Sequence, residues 1–130
     1  MKELTKKEIG DLGERRAARY LRMRGYRILE RNWYAGKCEL DLVAATLHDL
    51  VFVEVKTRTY DAAAWQTAPP PGLAVHSDKQ YHTRRAAQEY LRLHPTRKKP
   101  RMDVIEVWLS KPLAGKRPRV LRIHHIKAAY

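Results

Sequence analysis

The stretch LVFVEVKTR, residues 50–58, sets the strongest constraint on how this chain can fold. Leu50, Val51, Phe52, Val53 and Val55 require an apolar interior, and a short run rich in β-branched and aromatic residues reads as a buried strand. Glu54 and Lys56 interrupt that run, two residues apart. Strand side chains alternate between faces, so this pair projects from one face with Cα atoms about 6.6 Å apart, while Val51, Val53 and Val55 fill the other. A rigid strand ending in a carboxylate and an ammonium on one face is a mount suited to catalytic groups. Taken alone, the pair equally fits a cross-strand ion pair on a half-wet sheet, worth little energetically.

The flanking sequence supplies the remaining elements. Thr5 and Glu8 form a capping-box pattern, and Ile9, Leu12, Ala17 and Tyr20 recur at helical spacing until Gly25 ends the helix. Glu14 stands seven residues before Leu21, at the margin of the apolar face. Residues 26–31 read as a first strand and 38–44 as a second, with Leu40 and Leu42 on one face and Glu39, Asp41 and Val43 on the other. Short connections predict an antiparallel meander with residues 50–58 as the third strand. Residues 57–76, with three prolines at 69–71 and an alanine run, read as a mobile loop. Ser77 and Gln80 offer a second capping box, opening a helix through Tyr81, Ala87, Tyr90 and Leu91 that Pro95 terminates. The basic turn TRKKPR leads into a fourth strand at 102–109, and 120–126 is a candidate fifth. The pattern is α/β: one domain over residues 1–130, a mixed sheet flanked by helices in the order α-β-β-β-α-β.

Charge narrows the class of partner. Lys and Arg number 27 against 14 Asp and Glu, a formal net charge of +13 on 130 residues. Self-repulsion of that size points to a polyanion, with nucleic acid first and an acidic protein as the alternative. Lys79, Arg84, Arg85 and Arg92 on the second helix, with Lys98 and Lys99 in the basic turn, are the candidate phosphate contacts. The chain has no run of about 18 apolar residues that would span a membrane, and its start lacks the apolar stretch of a secretion signal. A cytoplasmic protein without membrane contact is expected. The single cysteine, Cys38, excludes a disulfide framework and a thiolate metal site.

Pairing of the second and third strands would bring Asp41 beside Glu54. Two confined carboxylates repel, and a hard divalent cation removes the conflict by taking oxygens from both. Mg²⁺ or Mn²⁺ held by Asp41 and Glu54, with the Lys56 ammonium orienting a water or stabilising phosphoryl charge, would suit phosphodiester chemistry. Glu39 shares Asp41's face and is a candidate outer contact. Asp103 is a candidate partner of the site or a structural ion pair. His124 and His125 fall on opposite strand faces, unsuited to one metal. Trp33, Trp65 and Trp108 are too scattered to define a stacking platform, and Trp108 reads as core.

The segments GDLGERRAARYL, RGYRILERNW, ELDLVA, LVFVEVKTR and RMDVIEVW together resemble the YraN-like uncharacterised bacterial family, within the PD-(D/E)xK nuclease superfamily and similar to the archaeal Holliday junction resolvases. The resemblance covers nearly the whole chain, with Cys38 standing where the family usually carries Gly. It implies a restriction-endonuclease-like core and places Asp41 on the superfamily's first acid. Glu54 and Lys56 fall on its E-x-K element, and Glu14 on the helix acid of resolvase-like members. It further implies a Mg²⁺- or Mn²⁺-dependent endonuclease on DNA, branched or junction DNA included, with Asp41, Glu54 and Glu14 at the metal, acting as a homodimer. Two alternatives stand beside it: a nucleic-acid-binding module with a silent site, and an interaction protein for an acidic partner.

Overall fold

The computed structural model describes residues 4–68, 77–112 and 116–130, the side chains of Ser77 and Asp78 apart. Helix α1, Lys6–Met23, opens on the expected capping box: Thr5 Oγ1 accepts from the Glu8 N–H at 3.1 Å and Glu8 Oε1 from the Thr5 N–H at 3.0 Å. Strands β1 (Arg27–Ala35), β2 (Cys38–Ala45) and β3 (Asp49–Tyr60) follow. After a 3-10 turn at Trp65–Thr67 come helix α2 (Ser77–Leu93), β4 (Lys99–Ser110) and β5 (Val120–Ile126). The sheet order is β1-β2-β3-β4-β5, with β3 and β4 parallel and the other neighbours antiparallel. Parallel neighbours need a crossover, and α2 supplies it. The meander and the fifth strand are both present, so the fold is α/β, a mixed five-stranded sheet between two helices.

Two apolar layers hold it together. Ala17, Ala18 and Leu21 of α1 pack on Leu42, Val51, Val53, Ile105 and Val107. Ala86, Ala87 and Tyr90 of α2 pack on Val43, Leu50 and Phe52 from the opposite face. Successive residues at the start of β3 therefore serve opposite helices, which is why residues 50–53 form an unbroken apolar run.

Several boundaries differ from the sequence expectation. Residues 57–60 do not begin a loop. They continue β3, because they find parallel partners at 107–110. The loop shortens accordingly, and residues 69–76 of it lie outside the described residues, as does the Ser77 side chain with its capping box. Strand β4 begins at Lys99, not Met102, since Lys99, Pro100 and Arg101 pair with Asp49, Leu50 and Val51. Leu40 and Leu42 do not share a layer: Leu42 faces α1, whereas Leu40 joins the α2 side. The β2–β3 register ends at Leu42↔Val53, and beyond it strand geometry no longer enforces the alternation.

Asp103 proves structural. It is fully buried and accepts from Arg101 Nε and the Ala128 N–H at 2.9 Å, with His125 Nε2 at 2.7 Å. Arg101 continues to Asp49 at 3.1 Å and to the Tyr26 hydroxyl at 2.8 Å. Three strands, the residue before β1 and the end of the chain are thereby tied together around one carboxylate.

Helix α1 approaches β3 most closely at Gly13, where an added Cβ would meet Thr57 Oγ1 at 1.9 Å. At Gly10 in the same helix a Cβ would meet nothing within 4 Å. Ala is favoured over Gly in a helix by about 1 kcal/mol, and overpacking costs about 1–3 kcal/mol. Gly10→Ala should therefore raise stability by up to about 1 kcal/mol, and Gly13→Ala should lower it, by up to about 2 kcal/mol after the helix gain is set against the clash. Urea denaturation of the two variants tests the opposite signs.

Candidate functional site

Asp41 sits where β2 and β3 part. One step beyond the last ladder pair, its carboxylate Oδ2 accepts the Val55 N–H at 2.9 Å, so a side chain replaces the backbone as ladder partner. That bond fixes the carboxylate at the fork of the strands, with Glu54 beside it on β3. Helix α1 brings Glu14 over the same point, and Glu39 projects from β2. One ligand oxygen each of Glu14, Glu39 and Asp41 lies within 4.8 Å of the others. The structure thus joins Glu14 to Asp41, and it moves Glu39 from a peripheral position into the cluster.

The electrostatics register the crowding. Burial, then repulsion from Asp41, push the Glu14 carboxyl up from 4.5 to about 7, against a lowering hydrogen bond from the Asn32 side chain. Glu39 is raised by burial and by Asp41. Glu54 is raised furthest, again by burial first and Asp41 second, and its Oε2 is buried with no hydrogen-bond partner among the described residues. Carboxylates held together this way favour either protons or a cation.

The ammonium at the acids is not the expected one. Lys79, from the first turn of α2, places Nζ 3.5 Å from Glu54 Oε1. Burial disfavours its charge, but Glu54 and then Asp41 outweigh that and raise its proton affinity. Lys56 does share the face of Glu54, as the alternation requires, and stands in register with buried Glu106 on β4. Glu106 Oε1 is taken by Arg58 Nε at 3.0 Å and Trp108 Nε1 at 2.7 Å. Among the described residues Lys56 makes no ion pair.

Other residues that sequence reasoning passed over shape the site. Asn32 lies opposite Asp41 in β1, between the pairs Arg31↔Leu42 and Trp33↔Leu40, and adopts a left-handed φ of 51°. Asn tolerates this region better than most residues, and here the same residue bonds Glu14. An open cleft of about 940 Å³ carries Glu14 and Glu39 on its wall, with Arg15, Arg31 and Arg117 around them. No local pattern marks those arginines, since three distant segments supply them.

The six candidate phosphate contacts have different surroundings. Lys79 is engaged with Glu54, and Arg84 lies over the Tyr130 ring at 5.5 Å. Arg85 and Arg92 line a cleft with Gly36 and Cys38, Arg92 being paired with Glu89. Lys98 is a clasp: Nζ donates to Leu47 O at 3.0 Å and also to Thr46 O at 2.6 Å. Lys99 enters β4 against Asp49, five residues before Glu54 and thus about 16 Å from the acids along the strand. The tryptophans are less scattered than their spacing suggests: Trp65 and Tyr60 both pack on Trp108, with centroids at 6.4 and 4.5 Å. Trp108 itself is buried, as expected of core. No helix is long and apolar enough to cross a membrane among the described residues.

Comparison with known proteins gives one consistent result. The family model described as "Uncharacterised protein family UPF0102" matches residues 13–107, which include all four acids of the site. A UPF0102 protein of Caldanaerobacter subterraneus is 40% identical over 111 residues, covering 85% of this chain and 87% of its own. A UPF0102 protein of Bacteroides thetaiotaomicron is 41% identical over 123 residues, 95% and 92% of the two chains. One from Moorella thermoacetica is 37% identical over 128 residues, 98% of each.

Raised carboxyls make a signed statement about pH. Their contribution to stability is complete below the ordinary value of 4.5 and is lost as pH climbs through the folded value, about 7 for Glu14 and higher still for Glu54. A divalent cation needs the deprotonated forms, so its affinity should grow over that same interval. In EDTA the Tm should fall from mildly acid to mildly alkaline pH, and Glu14→Gln or Glu54→Gln should flatten the fall. Mn²⁺ should restore Tm most at the alkaline end. A wild-type profile that the variants reproduce would remove these carboxyls as its cause.

Proposed function

The chain belongs to the UPF0102 family, and from the site its fold builds we propose that it is a metal-dependent endonuclease hydrolysing DNA phosphodiesters, branched or junction DNA among its substrates. One observation carries the reading: Glu14, Glu39 and Asp41 converge within 4.8 Å beside Glu54, whose buried Oε2 has no partner among the described residues. A basic chain that concentrates its scarce acids at one point has a use for cations there. The donor set is all oxygen, which suits Mg²⁺ or Mn²⁺ and not a soft metal.

Asp41, Glu54 and Glu14 would hold the cation, with Glu39 joining them. Bound there, the ion would polarise a phosphoryl oxygen and acidify a water. The Val55 N–H keeps Asp41 from rotating away. Lys79 neutralises Glu54 until a cation takes over. Lys56, on the same face and engaged in no ion pair among the described residues, is left to meet the substrate phosphate or the attacking water. The strand is cut on the face where β2 and β3 part, and symmetric cutting of two strands would require a homodimer.

The Lys79–Glu54 pair also favours a second reading, a nucleic-acid-binding module whose acids are satisfied by protons and a lysine without any metal. Variants separate the two. Asp41→Ala and Glu54→Ala should lose both Mn²⁺ binding and cleavage of four-way-junction DNA. Lys56→Ala should keep the metal and lose roughly 10²-fold or more in cleavage, as for loss of a transition-state contact. Lys79→Ala should bind Mn²⁺ more tightly, because a competing cation has gone. Calorimetry beside a gel cleavage assay reads all four; absence of Mn²⁺ and Mg²⁺ binding by the wild type would leave the silent module in possession.

A further inference from the structure

Four of the 27 Lys and Arg side chains are committed to an acidic partner among the described residues. Arg58 pairs with Glu106, Lys79 with Glu54, Arg92 with Glu89, and Arg101 with Asp49 and Asp103. The connection from β4 to β5 is different. Lys111, Lys116, Arg117 and Arg119 gather on a second open cleft of about 390 Å³, and among the described residues none of the four takes part in an ion pair. Asp61 lines the same cleft, but its Oδ1 accepts the Ala63 N–H at 2.8 Å and so serves the turn. Arg117 also lines the first cleft, with Glu14 and Glu39, so the two clefts meet at its side chain.

Hydrogen bonds hold the backbone at Ser110, Lys111 and Arg119. The Ser110 N–H donates to Arg119 O at 2.8 Å, Ser110 Oγ accepts the Arg119 N–H at 2.7 Å, and the Lys111 N–H donates to Tyr60 O at 2.9 Å. Buried Pro118 restricts the chain between Arg117 and Arg119. Holding like charges together in this way opposes their mutual repulsion, and a preorganised surface loses less freedom when it binds.

We propose that Lys111, Lys116, Arg117 and Arg119 form a phosphodiester-binding wall that takes the sugar–phosphate backbone of a nucleic-acid strand and leads it past Arg117 to the acidic cluster. The wall rests on the nucleic-acid reading above and relocates its contact surface from α2 and the basic turn to the ends of β3 and β4. A polyphosphate fits better than an acidic protein. Four cations gathered on one cleft suit binding by counterion release, whereas a protein interface is depleted in charge at its core.

The test is anisotropy titration of labelled duplex DNA in EDTA, where nothing can be cut. It compares the wild type with the triple variant Lys116→Ala/Arg117→Ala/Arg119→Ala and the control Arg85→Ala/Arg92→Ala, each checked for an unchanged Tm. The triple variant should bind at least tenfold more weakly at low salt. Its slope of log K against log salt should be shallower by about 0.9 for each lost phosphate contact. The control should stay within about twofold of the wild type. A triple variant with the wild-type slope, or a larger loss in the control, would overturn the wall. So would displacement of DNA from the wild type by polyglutamate as effective as by unlabelled DNA of equal charge. Should the triple variant lose its Tm, the single changes Lys116→Ala and Arg119→Ala, both on exposed residues, carry the same comparison. A wild type that binds through the wall but cleaves nothing with Mg²⁺ or Mn²⁺ would overturn the nuclease alone, and unimpaired junction cleavage by the triple variant would overturn the wall alone.

Discussion

Burial of β3 on both faces is the constraint from which the rest of the architecture follows. A strand whose side chains alternate Val51, Val53 toward α1 and Leu50, Phe52 toward α2 cannot be stable until both helices are in place. The parallel partner β4 then has to be reached by a crossover, and α2 is the crossover. The same requirement explains Gly13, the one point where α1 comes so close to β3 that no side chain fits. Glu14 follows Gly13 directly, so the contact that seats the helix also sets the height of the carboxylate above the sheet.

At the site this packing is used against electrostatics. Apolar layers determine where β2 and β3 diverge, and the divergence exposes the Val55 N–H that Asp41 accepts. Once Asp41 is fixed, Glu14, Glu39 and Glu54 are all raised by burial and by its charge. Uncompensated, such crowding would be costly. Lys79 and the Asn32 side chain offset part of it. The Glu54 oxygen, unsatisfied among the described residues, shows that the compensation is incomplete.

The positive charge divides by use. Arg101 and Lys98 act as internal struts, the one gathering Asp49, Asp103 and Tyr26, the other closing the β2–β3 turn through two carbonyls. Neither position is free to meet a polyanion in the way net charge alone suggested. Cations around the two clefts remain, supplied by α1, β1 and the β4–β5 connection. A count of basic residues therefore does not tell which of them are internal struts, and their ion pairs and hydrogen bonds do.

By itself the sequence determined whatever depends on local geometry. The Thr5–Glu8 capping box, the two helices and the five strands were legible because capping, 3.6-residue periodicity and alternation are properties of short segments. The shared face of Glu54 and Lys56, and the approach of Asp41 to Glu54, follow from alternation and a short hairpin. Tertiary structure alone decided which distant groups meet. Nothing local relates the first turn of α2 to β3, so Lys79 read as an exposed phosphate contact although it faces Glu54. Alternation correctly paired Glu39 with Asp41 but could not say that α1 would bring Glu14 within ligand distance of both. The Leu40 face was misread because the ladder ends at Leu42, and where a ladder ends depends on its partner strand. Tyr60 and Trp108 come together only through the parallel β3–β4 pairing, whose register is fixed by packing between segments some fifty residues apart.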